Sequence, residues 1–330
     1  MDVSTTAVLV YVVLQLAIGA WISRRIRTEE DYLVAGRRLG YTLSIFTIFA
    51  TWFGAETCIG AAGVVYAAGL AGGTSDPFGY AVCLFVMGVA FSVPLWRARL
   101  TTVADLPRRR YSIAVERVTV LLMVPTSVFW AAAQVRAFGQ VLSASSGLAV
   151  WVTITVAALV VVIYTVSGGL LADAWTDLLQ GIVLIAGLLL LLGAALLRHG
   201  VEPFGAIDPA RLRPLGGGQE PLLAVIEAWA IPVCGSVFAA ELVARMIAAR
   251  SPRVARRSTL VASGTYLLIG LIPVALGLFA AVTLPGLEHP EQVLPRLAHE
   301  LLPAALYPVF AGALVSAILS TVDSSLLAAS

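Results

Sequence analysis

Residues 41–69 read YTLSIFTIFATWFGAETCIGAAGVVYAAG, an apolar stretch long enough to cross a membrane but polar at its centre. Thr51, Gly54, Glu56 and Thr57 lie within seven residues. A carboxylate at this depth costs about 2.5–3.5 kcal/mol, and irregular backbone is tolerated there only against protein or a water-filled cavity. We therefore predict a spanning helix that is broken at mid-membrane, with the break facing an ion or a solute.

The composition of the chain is that of a polytopic membrane protein. Of its 330 residues, 59% are hydrophobic and 12% are charged, against about 25% charged residues in soluble domains. The mean hydropathy is +0.94. The net charge of +2 gives no reason to expect a nucleic-acid partner. The three cysteines are scattered through apolar stretches, without the spacing of a metal site or a disulfide framework.

Apolar runs of roughly 20 residues predict nine spans of the lipid bilayer. The arginines orient them, because 16 of the 21 basic residues lie in the loops 23–40, 97–117 and 244–258, and four lie in the opposite loops. Cytoplasmic loops carry the excess of positive charge, which predicts a plasma-membrane protein with its N-terminus outside. The predicted spans are 5–22, 41–69, 78–96, 118–143, 149–166, 175–197, 222–243, 259–284 and 304–330.

A second polar stretch runs along the last predicted span. Ser316, Ser320 and Ser324 are four residues apart and share a helix face, with Thr321 and Ser325 beside them. Small and hydroxyl side chains favour close packing of helices in membranes. Their oxygens also suit a small hard cation such as sodium. Both interpretations are open, and in the second one the carbonyl groups freed at the helix break would complete the site.

The function class follows from what such an arrangement can bind. Discontinuous helices near the midplane are where secondary transporters bind ions and solutes. The chain has no HExxH, no GxSxG and no Cys-His constellation, and its three histidines lie in predicted loops, so we expect no enzyme. The alternative to a transporter is a membrane domain that senses a solute for an attached signalling module.

Four motifs of the chain resemble those of the sodium:solute symporter family and follow the family's order. The resemblance implies an all-α, leucine-transporter-type inverted-repeat fold with one extra N-terminal helix at 5–22. It also implies a single transporter domain, 1–330, with a first repeat at 41–197 and a partial second repeat at 222–330, truncated at the C-terminus. The motifs are DYLVAGRRLG at 31–40, YTVSGGL at 164–170 continued by WTD at 175–177 and Gln180, RMIAARS at 245–251, and STVDSSLL at 320–327.

The resemblance further implies how a sodium ion is held. In this family the acidic residue of the WTD motif lies near the route of sodium release, and Asp177 holds that place. The alternative for Asp177 is a cytoplasmic charge at a helix N-terminus, where a carboxylate interacts favourably with the helix dipole. The implied sodium ligands are the carbonyls of Ala50, Phe53 and Ala317 and the hydroxyls of Ser320 and Thr321.

Three aromatic residues, Trp52, Tyr80 and Trp130, resemble those of the high-affinity choline transporter branch of that family. Aromatic faces attract a quaternary ammonium group by about 2 kcal/mol when desolvated. Choline or another quaternary amine is therefore the leading small organic solute, and an amino acid or other neutral solute is the alternative. The branch has a further tryptophan where this chain has Ala239. The three aromatics would otherwise be packing or interface anchors.

Glu56 and Glu241 are acidic residues inside predicted spans and are expected to have partners. Glu56 is predicted to belong to the solute site, where it would pair with a cationic solute or with Arg136; the alternative is a position at a water-lined vestibule. Glu241 is predicted to pair with Arg245, four residues further along the same helix.

Overall fold

A computed structural model describes residues 10, 13–15, 17–19, 21–24, 26–146, 148–166, 169–215 and 221–329. Throughout this part of the chain the backbone is helical or irregular, apart from one isolated β-bridge between Leu39 and Ala249. The α-helices are α1 (Glu29–Val34), α2 (Tyr41–Trp52), α3 (Ala61–Ala68), α4 (Tyr80–Val86), α5 (Ser92–Arg97), α6 (Asp105–Arg110), α7 (Ile113–Ser146), α8 (Val150–Val166), α9 (Gly169–His199), α10 (Glu202–Gly205), α11 (Leu222–Gly235), α12 (Ala240–Ile247), α13 (Pro252–Thr283), α14 (Val293–Leu301) and α15 (Tyr307–Ala329).

The described residues contain fewer segments that are long and apolar enough to cross a membrane than the nine spans that we predict. A further span is formed if α11 and α12, which are bent by 46° relative to each other, count as one. The difference arises because helix breaks divide two predicted spans, because α8 has only 17 residues, and because the predicted span 5–22 lies largely outside the described residues. The five segments long and apolar enough to cross a membrane are Glu56–Arg97, Ile113–Ser143, Gly169–His199, Pro252–Thr283 and Tyr307–Ala328.

The predicted helix break is present at the end of α2. This helix ends at Trp52, and Phe53 has the non-helical angles φ −77° and ψ 66°. A π-helical turn, Glu56–Gly60, then leads into α3. The Ala55 N–H donates to Gln134 Oε1 of α7 at 3.0 Å. A side chain from another helix thus satisfies a backbone group that the break leaves without a helical partner, as a water-poor environment requires.

Gly54 is the point at which the break approaches α15. A Cβ atom at this position would lie 2.4 Å from Thr321 Oγ1 and 2.9 Å from Gln134 Oε1. Those separations are shorter than any side chain tolerates, so only glycine lets the two helices come this close.

The serine-bearing helix α15 is buried in the bundle, with 89% of its apolar stretch inside the protein. It packs antiparallel to α9, since Gly187 faces Ala313 and Asp177 faces Ser320. A Cβ atom at Gly187 would lie 2.3 Å from that of Ala313. The small residues therefore do serve close packing, and the same packing keeps the hydroxyl groups of α15 inside the protein.

The motif at 31–40 joins the arginine-rich loops at one end of the bundle. Arg37 donates to the carbonyls of Leu100, at 2.7 Å, and Ile247, at 3.2 Å. The Leu39 N–H donates to the Ala248 carbonyl at 3.2 Å. The three loops that the arginine count groups together thus meet in the structure, while the prediction that this end faces the cytoplasm stays a prediction.

Candidate ion and solute site

The end of α2 and the middle of α15 meet at one backbone carbonyl. Ser320 Oγ lies 3.1 Å and Thr321 Oγ1 lies 3.4 Å from the Ala50 carbonyl oxygen. Thr321 Oγ1 also donates to the Ala317 carbonyl at 3.1 Å. All four residues are buried. Phe53, the remaining predicted sodium ligand, is the first non-helical residue after α2.

Asp177 lies directly behind these oxygens. It is completely buried, and it accepts hydrogen bonds from Ser320 Oγ on one carboxylate oxygen and from Thr47 Oγ1, at 2.5 Å, on the other. Helix α9 begins at Gly169, which places Asp177 in the third turn and away from the helix end. The alternative prediction, a cytoplasmic charge at a helix N-terminus, is therefore wrong.

A buried arginine completes this cluster. Arg245 of α12 has no exposed surface, and its Nη2 donates to Asp173 Oδ2 and Ser324 Oγ. The same nitrogen lies 4.0 Å from Asp177 Oδ2. The residues of this cluster are called the ion region below: Thr47, Ala50, Phe53, Asp173, Asp177, Arg245, Ala317, Ser320, Thr321 and Ser324.

The predicted side-chain pair between Glu241 and Arg245 is not formed. Arg245 Nη1 donates instead to the backbone carbonyl of Glu241 at 2.9 Å. The Glu241 carboxylate accepts a hydrogen bond from Trp52 Nε1 at 3.1 Å. The reason is that buried aspartates of α9 compete for the guanidinium, which leaves the Glu241 carboxylate to orient the tryptophan ring.

The aromatic residues predicted to bind a solute are only partly assembled. The rings of Trp52 and Tyr80 lie 5.2 Å apart at an angle of 47°. Trp130 is half-buried on α7 and makes no ring contact with any aromatic residue that the structure describes. Glu56 Oε2 is buried without a hydrogen-bond partner. Arg136 is exposed and forms no ion pair with Glu56, so that predicted pairing is absent.

A second buried carboxylate adjoins the aromatic pair. Asp76 is 4% exposed and accepts hydrogen bonds from Thr57 Oγ1, at 2.6 Å, and Tyr266 Oη, at 3.0 Å. Thr57 Oγ1 and Tyr266 Oη both lie 3.4 Å from the Trp52 carbonyl. Among the described residues, neither Asp76 nor Glu56 has a cationic partner. The residues Trp52, Glu56, Thr57, Asp76, Tyr80, Glu241 and Tyr266 are called the solute region below.

A cavity of about 820 Å³ lies next to the segment that follows the break. Its lining includes Ile59, which is three residues beyond Glu56. Polar and charged side chains of α7 and of the 289–299 segment form much of the remaining wall, including Arg136, Gln140, His289, Glu291, Arg296 and His299.

The chain matches the model of one protein family, described as "Sodium:solute symporter family", over residues 32–330. The chain belongs to this family. The match includes three of the four motifs completely and the first one from its second residue, Tyr32, onward. The relatives described next are named as transporters or symporters.

Among curated relatives of this symporter-family chain are "High-affinity choline transporter 1" of Caenorhabditis elegans and "High affinity choline transporter 1" of Homo sapiens. They are 27% and 26% identical over 98% of this chain, which spans 61% and 60% of their respective lengths. The "Sodium/pantothenate symporter" of Haemophilus influenzae is 28% identical over 95% of this chain and 67% of that protein. The chain thus spans about three fifths of the choline transporters that it matches.

A solved structure has the same fold. It is described as "Substrate-bound outward-open state of a Na+-coupled sialic acid symporter reveals a novel Na+-site", with a TM-score of 0.89 over 100% of this chain and 73% of that one. The sequence identity is 18%. This match confirms the predicted all-α, leucine-transporter-type fold of a multi-pass membrane protein.

Sequence reasoning missed several partners that complete the two regions. Asp173 and Asp177 are four residues apart on an apolar helix, and carboxylates inside a span indicate function by default, so Asp173 could have been found. Asp76 was visible as a carboxylate at the start of a span. Thr47 and Tyr266 carry no such signal, because a single hydroxyl on an apolar helix is common packing material.

Proposed function

We propose that the chain forms the ion- and solute-binding core of a sodium-coupled symporter that imports a small organic solute. Its place would be the plasma membrane, with the N-terminus outside. The observation that carries the proposal is the Ala50 carbonyl at the helix break, which the hydroxyls of Ser320 and Thr321 both reach. Each sodium ion moving inward through 100 mV releases about 2.3 kcal/mol, which can drive accumulation of the solute.

The oxygens of the ion region suit sodium as a co-transported ion. Carbonyl and hydroxyl oxygens are ligands of hard cations. We assign the carbonyls of Ala50, Phe53 and Ala317 and the hydroxyls of Ser320 and Thr321 as the sodium ligands. Asp177 orients Ser320 and supplies negative charge next to the ion on its way to release.

Two broken helices support the proposed internal repeats. The first repeat, 41–197, begins with the break after α2, and the partial second repeat, 222–330, begins with the bent pair α11 and α12. Discontinuous helices at corresponding positions of two halves are typical of transporters that bind solute and ion between repeats.

The proposed solute carries a positive charge. The faces of Trp52 and Tyr80 and the carboxylate of Glu56 all attract a cation, and no arginine of the described residues neutralises that carboxylate. Choline or another quaternary amine is the first candidate. A protonated amine, such as that of an amino acid, is the second, because Glu56 Oε2 is an unused acceptor for an N–H group.

The proposal is tested by uptake into proteoliposomes that contain the complete gene product. Labelled choline, a protonated primary amine and a neutral solute of similar size are compared with sodium or potassium outside. We expect sodium-dependent uptake of a cationic solute. Ser320→Ala and Thr321→Ala should each raise the sodium concentration for half-maximal uptake roughly tenfold, since a lost contact of about 1.4 kcal/mol has that effect.

Matched controls for these variants are Ser92→Ala and Thr259→Ala. Both remove a buried hydroxyl that bonds to a carbonyl one helical turn earlier, at 3.0 Å and 2.8 Å, but outside the ion region. They should leave the sodium dependence unchanged. Uptake that is indifferent to sodium in the parent would contradict symport, and equal shifts in all four variants would contradict the assigned ligands.

A further inference from the structure

Three side chains of the solute region form a closed ring of polar contacts. Thr57 Oγ1 lies 2.6 Å from Asp76 Oδ2, Tyr266 Oη lies 3.0 Å from Asp76 Oδ1, and the two hydroxyl oxygens lie 2.8 Å from each other. All three residues are buried. Each separation is that of an O–H···O hydrogen bond, so the ring needs three hydrogen atoms.

The two hydroxyl groups supply only two of these hydrogen atoms. Threonine and tyrosine each carry one O–H donor, and an ionised carboxylate only accepts. With Asp76 ionised, both hydroxyls donate to it, and the 2.8 Å contact between Thr57 and Tyr266 has no hydrogen. With Asp76 protonated, its O–H donates to Thr57, Thr57 donates to Tyr266, and Tyr266 donates back to Asp76. The protonated form therefore satisfies every contact of the ring.

The surroundings of Asp76 also favour a neutral carboxyl group. The titratable groups that interact with it are acids, phenols or a thiol, namely Glu56, Cys58, Tyr80 and Tyr266. Helix α11 packs against the same segment through Pro232, and its acidic residue Glu227 is exposed. A buried carboxyl group without a cationic partner takes up a proton instead of keeping its charge.

We infer that Asp76 is a proton-binding site and that a cationic solute has to displace its proton. When the solute binds, the O–H bond of the carboxyl group breaks, the proton passes to water, and the ionised carboxylate balances the charge of the solute. The hydroxyls of Thr57 and Tyr266 then both donate to the carboxylate. The proton site stands on the ring of contacts, whereas the displacement also rests on the proposed cationic solute.

Infrared spectroscopy of the purified complete protein, without solute and at neutral pH, measures the protonation state. A protonated carboxyl group has a C=O absorption at a frequency where neither an ionised carboxylate nor a side-chain amide absorbs. We expect Asp76→Asn to lose one such band and Glu56→Gln to keep that band. The asparagine reproduces the ring, because its N–H donates to Thr57 and its C=O accepts from Tyr266, so this variant should fold like the parent.

Binding of labelled choline to the same preparations measures the displacement. Because one proton leaves as one cation binds, the dissociation constant of the parent should rise about tenfold for each pH unit below neutral. Asp76→Asn should bind choline more weakly at neutral pH, and its pH dependence should lack this tenfold change. Release of about one proton for each choline bound, in weakly buffered solution, is an independent measure of the same step.

Identical carboxyl bands in the parent and in Asp76→Asn would overturn the proton site. The same pH dependence of choline binding in both proteins would overturn the displacement. If Asp76→Asn does not fold, Thr57→Val decides, because loss of the hydrogen-bond partner shifts the band of a protonated Asp76, whereas an ionised Asp76 has no such band to shift. A parent that binds no choline at any pH would contradict the proposed quaternary amine, and the infrared bands would then decide on the proton site.

Discussion

The ion region and the solute region both contain buried carboxyl groups, but only those of the ion region have a cationic side chain beside them. In the ion region a buried arginine of the protein already lies against two aspartates. In the solute region, Glu56 and Asp76 have no cationic partner among the described residues. The carboxyl groups of the first region therefore already lie beside a positive charge of the protein. The carboxylates of the second region are therefore available to a cation from solution, which is the basis for the proposed charged organic solute.

One short helix connects the two regions. In α12, the Glu241 carboxylate accepts from Trp52 Nε1, and Arg245 one turn later donates to Asp173. A displacement of α12 on solute binding would therefore also move Arg245 and Asp173, which lie next to the proposed sodium ligands. Helix α12 is therefore a physical route by which solute binding and ion binding could be coupled. The following predictions test the ion region and the solute region separately.

The largest effect is expected for Asp177→Asn. Removing one charge from a buried pair costs about 3–5 kcal/mol, and a loss of about 4 kcal/mol corresponds to a roughly 1,000-fold loss in sodium-dependent uptake. The matched variant in the solute region is Asp76→Asn, which should weaken the apparent affinity for solute and leave the sodium concentration for half-maximal uptake unchanged. Similar sodium dependence in both variants would contradict the assignment of sodium binding to one region and solute binding to the other.

The next effect concerns the contact of the break with α15. Gly54→Ala places a Cβ 2.4 Å from Thr321 Oγ1, and overpacking of about 3 kcal/mol should weaken sodium activation roughly 100-fold. Gly60→Ala is the control, because its nearest side-chain atom would lie at an ordinary 3.8 Å. The measurement is uptake as a function of sodium concentration. The same sodium dependence in both alanine variants would contradict the close contact between the break and α15.

A smaller effect is expected for Trp52→Ala, which acts on the solute region. Loss of a desolvated cation–π contact of about 2 kcal/mol should weaken uptake of a quaternary or protonated amine roughly 30-fold. A neutral solute of similar size should lose much less. Competition of each solute against labelled choline measures the difference, and an equal loss for charged and neutral solutes would remove cation–π recognition from the proposal.

The smallest effect is expected for Glu56→Gln, which keeps the shape and removes the charge. In a partly hydrated site one charge pair is worth about 1 kcal/mol, so uptake of cationic solutes should fall roughly fivefold. The sodium concentration for half-maximal uptake should not change. Glu291→Gln, in the wall of the cavity beyond the break, is a matched control, and an equal loss in both variants would indicate general electrostatic attraction instead of a direct contact.

The helical class, the membrane location and the break could be predicted from the residues because each is a local property. Apolar runs of about 20 residues define spans wherever the chain goes. A carboxylate, a glycine and two hydroxyls in one span predict a functional break before any partner is known. Ser320 and Thr321 could be selected as candidate ion ligands because helical spacing puts them on neighbouring faces and the motif resembles that of a known family.

The partners of those residues depend on how helices are rotated and packed against each other, which hydropathy and spacing do not encode. Thr47 and Asp177 are 130 positions apart, yet their side chains are 2.5 Å apart. Arg245 bonds to an aspartate of α9 across the bundle instead of pairing with its own helix neighbour. Trp130 has the expected residue type but lies outside the aromatic pair. The sequence determines which chemical groups each side chain carries. Which other groups surround that side chain depends on how helices distant in sequence pack in a close-packed interior.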